Sequence, residues 1–270
     1  MSRKTLAAPF LVWIIGGTLI PLALIMYYGF TDREGAFTLH NVMAIFQPVH
    51  AQALGLSLLL ALISTVICFL IAFPLALILK DSRMGKAGFM VFVFILPMWM
   101  NFLLRTMAWQ VILEKEGLFD MALSFLGLSM PQIINTPAAV VLGMVYDFLP
   151  FMILPLYNAL TKIDDSVIEA AYDLGAEKPA VLGRIILPLI VPGIASGVTM
   201  VFVPSLTTFV ISNILGGGKI YLIGNIIEQE FTTSANWNLG SGLSLVMMVF
   251  VLGSMALLSA LDKSGEGVEL

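Results

Sequence analysis

The chain has 270 residues, 59% of them hydrophobic and 11% charged, with a mean hydropathy of +1.00 and a formal net charge of -4. A water-soluble domain carries about a quarter charged residues, so most of this surface is expected to face lipid, and the lack of a basic stripe excludes a nucleic-acid partner. One cysteine, Cys68, inside an apolar run, and two histidines, His40 and His50, outside such runs, cannot build a disulfide framework or a cysteine-rich metal site.

Apolar runs of the length a bilayer requires, about 20 residues, follow one another near 9–29, 53–79, 88–112, 137–161, 188–212 and 239–261. They predict an all-α integral membrane protein of six transmembrane helices in a single domain over residues 1–270. The first run continues to about Phe30 with no convincing small-residue cleavage site, longer than a signal core, and is read as a retained helix. Pro21, Pro74, Pro97, Pro150, Pro155, Pro192 and Pro204 predict kinks, which membranes tolerate where neighbouring helices or a water-lined path satisfy the freed backbone groups.

Orientation follows from the basic residues. With both termini in the cytoplasm, that side holds nine: Arg3, Lys4, Lys80, Arg83, Lys86, Lys162, Lys178, Arg184 and Lys263. The rest comprises four, Arg33, Arg105, Lys115 and Lys219, with Arg105 inside the third run, so the positive-inside bias favours internal termini. The external connections 30–52, 113–136 and 213–238 carry seven carboxylates, Asp32, Glu34, Glu114, Glu116, Asp120, Glu228 and Glu230. Such a face suits a cationic solute, or is ordinary solvated loop charge.

The same orientation places a polar island, Glu169-Ala170-Ala171-Tyr172-Asp173-Leu174-Gly175-Ala176, in the cytoplasm between the fourth and fifth runs. Asp164, Asp165 and Ser166 can start a helix there, and Ser166-x-x-Glu169 has capping-box spacing. Val167, Ile168, Ala171 and Leu174 predict one apolar face, with Asp165, Glu169, Asp173 and Glu177 on another. Gly175 permits a tight turn, Lys178-Pro179 restarts a short helix, and Pro188 marks the start of the fifth span.

This segment, 162–187, resembles the EAA motif of bacterial ABC import permeases: Glu-Ala-Ala, three residues, Gly, nine residues, Ile-x-Leu-Pro. Glu169, Ala170, Ala171, Gly175, Ile185, Leu187 and Pro188 fit every position, and Ala176 also agrees. The resemblance implies a type I ABC importer permease fold with cytoplasmic coupling helices that dock on an ATPase subunit. Small residues allow close approach in such a docking site, and a charge such as Glu169 fixes its orientation.

A nucleotide site within the chain is not expected. Leu215-Gly216-Gly217-Gly218-Lys219-Ile220 lacks P-loop spacing, has Ile220 where a magnesium-binding hydroxyl belongs, and reads as a flexible external turn. No nucleophile with a neighbouring base is visible, so the chain reads as non-catalytic, binding no cofactor itself, with ATP and Mg on partner subunits.

A carboxylate inside a span costs about 2.5 to 3.5 kcal/mol on insertion scales and marks a protein interior or wet path. Asp147, beside Tyr146 and near Pro150, is one, and the third run offers Trp99, Asn101 and Arg105. Two readings stay open. Asp147 supplies counter-charge to a polyammonium solute while Trp99 and Tyr146 give it aromatic faces, or Asp147 pairs with Arg105 or with a companion permease.

Ile95 to Arg105, Thr136 to Tyr146, Leu149 to Met152, and Gly217 to Asn225 extend the likeness over nearly the whole chain to PotB-type permeases of spermidine/putrescine importers. That resemblance implies a multi-pass protein of the bacterial plasma membrane that moves polyamines by alternating access. Its implied partners are a second, PotC-like permease, two PotA-like ATPases and a PotD-like extracytoplasmic solute-binding protein. The alternatives are an ABC importer permease for another solute, such as iron, sulfate or phosphonate, and an ion-driven secondary transporter.

Overall fold

The computed structural model describes residues 10, 12–81, 93–94, 96–125, 127 and 132–266. Among these, every named element is helical, as a bilayer requires of backbone amides that have no water to bond. In chain order they are α1 (Val12–Gly29), α2 (His40–Met43), α3 (Pro48–Asp81), α4 (Phe102–Leu113), α5 (Leu118–Phe125) and α6 (Pro137–Leu160). After them come α7 (Asp165–Asp173), α8 (Lys178–Leu189), α9 (Val191–Thr207), α10 (Val210–Leu215), α11 (Ile223–Thr232) and α12 (Trp237–Glu266). Short π turns interrupt α1 at Ile15–Leu19 and α8 at Leu182–Ile186, and a 3-10 turn covers Leu96–Trp99.

Four helices, α1, α3, α6 and α12, are long and apolar enough to cross a bilayer, and α8 with α9 make a fifth if counted as one span bent by 68°. The expected third span falls partly outside the described residues. Its described part is not one helix: the turn Leu96–Trp99 gives way at Met100 and Asn101 to α4, because the Asn101 carboxamide oxygen accepts the Leu103 N–H at 2.9 Å and starts a new helix.

The expected fifth span, 188–212, is corrected at both ends. Pro188 lies inside the helical segment, and the bend comes at Ile190, since Pro192 has no N–H to return to the Pro188 carbonyl. At the other end Thr208, in extended backbone at φ -65 and ψ 141, stops α9 before α10 begins. Pro74, Pro150, Pro155 and Pro204 lie inside helices that continue through them. The expected second span is longer than its run: 33 residues of α3 reach about 50 Å at 1.5 Å per residue.

Two units make up the chain, Met1–Gly55 with Ile223–Leu252, and Leu56–Leu222 with Gly253–Leu270. In the first, Asn41 and Asn238 tie down the end of α1: the Asn41 amide donates to the Thr31 carbonyl at 2.8 Å and the Asn238 amide to the same oxygen at 2.7 Å. Gly29 and Gly242 permit this, because a Cβ would stand 2.5 Å from Leu245 Cδ1 on the former and 2.5 Å from the Asn41 carbonyl carbon on the latter. Trp237 packs edge-on against Phe231, with ring centroids 5.5 Å apart.

In the second unit α3, α6 and α9 share a core of Cys68, Ala72, Ala76, Leu79, Met152, Leu156, Leu160, Ile190 and Val201. Apolar packing gives no net drive between helices in lipid, so small residues that let backbones approach carry the association. On α3 the inward stripe is Ala61, Cys68, Ala72 and Ala76, all 0% exposed, while Leu59, Leu62, Val66 and Leu70 face outward. Gly193 and Gly197 on α9 sit one turn apart against Pro155, Ala159 and Met152 of α6.

The Gly216-Gly217-Gly218 turn belongs to this unit and is not the loose loop its composition suggests. Gly217 and Gly218 have φ +55 and +67, and the Asn135 N–H donates to the Leu215 carbonyl at 2.9 Å. A Cβ on Gly217 would collide with Asn135 Oδ1. The glycines are there for close packing and left-handed backbone.

Candidate functional site

The polar island forms α7, and its ends are capped by local chemistry. Asp164 is the N-cap: its carboxylate accepts the Ser166 N–H at 2.9 Å, and that bond holds the Asp164 carboxyl below its ordinary range. The cap is therefore charged at neutral pH and is lost only as pH falls through that lowered value. This corrects the expected capping box: Ser166 lies inside the helix as a donor, leaving Glu169 on the exposed surface.

At the other end Gly175, φ +80, takes the left-handed position of a Schellman motif. Its N–H donates to the Tyr172 carbonyl at 2.9 Å, and the Ala176 N–H donates to the Ala171 carbonyl at 3.0 Å. A side chain at Gly175 would meet nothing, so backbone handedness alone calls for glycine.

The expected apolar face of α7 is only partly covered. Ala171 is buried and Ile168 half-buried, whereas Val167 is 44% exposed and Leu174 is 89% exposed. Tyr172, Glu169 and Ala170 also face outward. Of the tail residues, Ile185 and Leu187 are half-buried and Pro188 is exposed, on α8. Every residue of the spacing pattern thus lies on the α7–α8 hairpin, which leaves an apolar knob, Leu174, uncovered at its turn and a carboxylate, Glu169, exposed on another face of α7.

A tie that the sequence did not reveal fixes this hairpin to the end of α3. Lys80 Nζ lies 3.2 Å from Asp165 Oδ1 and 3.5 Å from the Ile163 carbonyl oxygen, which it reaches as a donor. The lysine side chain is 13% exposed and the aspartate 79%, so the stem is fixed although the pair is wet. Such a pair contributes about 1 kcal/mol at most. Lys80→Met is accordingly expected to leave global unfolding almost unmoved while speeding tryptic cleavage at Lys162 or Arg184; unaltered cleavage would show that the lysine does not restrain the hairpin.

The second constellation lies within the bundle. Asp147, 2% exposed, meets Arg105 and Thr106 of α4: Arg105 Nη2 is 3.2 Å from Asp147 Oδ1, and the Thr106 hydroxyl donates to Asp147 Oδ2 at 3.0 Å. The Arg105 guanidinium carbon stands 5.8 Å from the Tyr146 ring centre, and Trp109 packs edge-on to that ring at 5.3 Å. Of the two readings the sequence left open, pairing with Arg105 is the one observed. The expected aromatic cradle is altered accordingly: Tyr146 faces Arg105 and Trp109, Asn101 is engaged as a helix cap, and Trp99 is 75% exposed on the preceding turn. Trp109 and Thr106 were missed, although their spacing from Arg105 on a helix of one turn per 3.6 residues puts all three near one face.

Residues 5–264 match the model of a family described as the binding-protein-dependent transport system inner membrane component. The chain is 39% identical over 257 residues to the spermidine/putrescine transport system permease protein PotB of Haemophilus influenzae, covering 92% of this chain and 90% of that protein. It is 35% identical to the protein of the same name from Escherichia coli, covering 91% and 92%. Among solved structures, a bacterial alginate ABC transporter in complex with an alginate pentasaccharide-bound periplasmic protein superposes with a TM-score of 0.80 at 16% identity, covering 97% of this chain and 93% of that one, a likeness of fold. The chain belongs to the family of binding-protein-dependent transport system inner membrane components.

Proposed function

We propose that this chain is the permease subunit of an ATP-driven polyamine importer. The observation that carries the cargo is the likeness, over nine-tenths of the chain, to relatives named for spermidine and putrescine. The fold alone carries no cargo, since folds host many functions. In this reading residues 1–270 form one permease domain of six spans with both termini in the cytoplasm. Removing the buried, paired Arg105 from the loop charges supports that orientation, since the external basic residues then number three, Arg33, Lys115 and Lys219, against nine.

The α7–α8 hairpin is the coupling element, with Glu169, Ala170, Ala171, Gly175, Ala176, Ile185, Leu187 and Pro188 as its ATPase-coupling residues. The chain itself is non-catalytic, and ATP and Mg are held by two ATPase subunits. A second permease completes the path, and an extracytoplasmic binding protein delivers solute. ATP closure of the ATPase pair moves the hairpin, the bent α8–α9 pair carries the motion into the bundle, and the permeases alternate between outward and inward openings.

Proteoliposomes of the full complex are expected to show ATPase stimulation by spermidine in the presence of the binding protein. Stimulation by sulfate or ferric ion and not by spermidine would replace the cargo.

A further inference from the structure

A guanidinium offers five N–H donors and a carboxylate two oxygens, and a well-built buried pair engages them in a two-pronged fork. The pair at the α4–α6 contact does not. Arg105 approaches Asp147 through Nη2 alone, Thr106 occupies the other carboxylate oxygen, and the arginine Nε and Nη1 have no hydrogen-bond partner among the described residues although the side chain is 6% exposed. The 3.2 Å contact to Asp147 Oδ1 is itself ionic without hydrogen-bond alignment. A buried pair of such incomplete geometry is weak evidence of a role in stability, since desolvation of both charges opposes their attraction, and Leu113 and Val140 already join α4 to α6 in an apolar cluster. A tie for stability alone would be better met by two aliphatic side chains.

The Tyr146 ring links the buried pair to the space outside it. The guanidinium carbon lies over the face of Tyr146, a residue 39% exposed, and Tyr146 and Trp109 also line an open apolar groove of about 440 Å³ with Ile67, Val141, Val145 and Leu149, which Arg105 and Asp147 do not border. One aromatic residue therefore borders both the internal cation and open space. We propose that Arg105 is a resident cation that a solute ammonium displaces. With no solute present, the guanidinium neutralises Asp147 and clasps α4 to α6. As the helices part during the cycle, an ammonium of the solute takes the carboxylate and the Tyr146 ring, and Arg105 withdraws. Binding of a cation is thereby coupled to separation of the two helices, and a neutral solute has no means of releasing the clasp.

This inference rests on the importer reading for its solute but not for its clasp, and the test separates them. The full complex of both permeases, ATPase subunits and binding protein, in proteoliposomes, is compared with Arg105→Gln, Asp147→Asn and the charge exchange Arg105→Asp with Asp147→Arg. Without solute or binding protein, Arg105→Gln is expected to raise basal ATP hydrolysis about fivefold and to lower the spermidine moved per ATP. Asp147→Asn is expected to reduce spermidine uptake tenfold or more, a larger loss than Arg105→Gln, and the exchanged pair to recover complex yield but not uptake. Basal hydrolysis at the wild-type rate in Arg105→Gln, equal uptake losses in the two single variants, or uptake restored by the exchange would each overturn the proposal and leave a structural pair. If Arg105→Gln does not assemble, the double variant Arg105→Gln with Asp147→Asn, which leaves no unpaired buried charge, serves in its place, with raised basal hydrolysis supporting the clasp and wild-type hydrolysis refuting it. Raised basal hydrolysis in a complex that ignores spermidine would sink the cargo while sustaining the clasp.

Discussion

Leu174→Asp is expected to reduce ATP-driven uptake by tenfold or more without harming the fold of the permease. The side chain is 89% exposed at the C-cap of α7, so a carboxylate there costs the isolated chain only the repulsion of the helix end, about 0.3–1 kcal/mol. Against an ATPase subunit the balance reverses, because docking would strip water from a new charge that has no partner, and 1.36 kcal/mol already corresponds to a factor of ten. Glu169→Ala, exposed on another face of the same helix, removes orientation and not apolar contact, and its loss should be smaller. The measurement is uptake together with the amount of ATPase that co-purifies with the permease. Full uptake by Leu174→Asp would remove α7 from the docking surface.

Gly193→Leu is expected to destabilise the permease by about 3 kcal/mol or to prevent its accumulation, since overpacking a tight contact costs about 1–3 kcal/mol and here the opposing atoms are rigid. Already at the Cβ, a substituent would stand 2.5 Å from Ala159 Cβ and 3.0 Å from the Pro155 carbonyl oxygen. Gly197→Ala provides the contrast. Its Cβ would lie 2.6 Å from Met152 Sδ, a flexible side chain that can move aside, so about 1 kcal/mol is expected. Thermal unfolding in detergent, followed through loss of monodisperse protein, ranks the two. A Gly193→Leu variant as stable as wild type would mean that α6 and α9 do not pack through this face.

What the sequence revealed about these sites was what depends on neighbours in the chain. Asp164 to Ala176 could be read because caps and glycine turns are settled within six residues, even though the cap belongs to Asp164 and not to Ser166. The break in the third span was also written locally, as an asparagine ahead of an apolar helix, but the long greasy run concealed it. Lys80 with Asp165, and Arg105 with Asp147, join different helices, and hydropathy carries no information on which faces meet. The spacing of Gly193 and Gly197 is the usual mark of close helix contact in membranes and could have been found.

The buried arginine also constrains how the polypeptide is made. Arg105 emerges from the ribosome 42 residues before Asp147, which at about 5–20 residues per second is a delay of roughly two to eight seconds. Throughout that interval the nascent chain holds a cation whose transfer to the bilayer centre costs about 2.5–3.5 kcal/mol. The partner carboxylate becomes available only once α6 has been made, so α4 is expected to stay beside the translocation machinery until then, and crosslinking of nascent chains stalled between the two helices would show it.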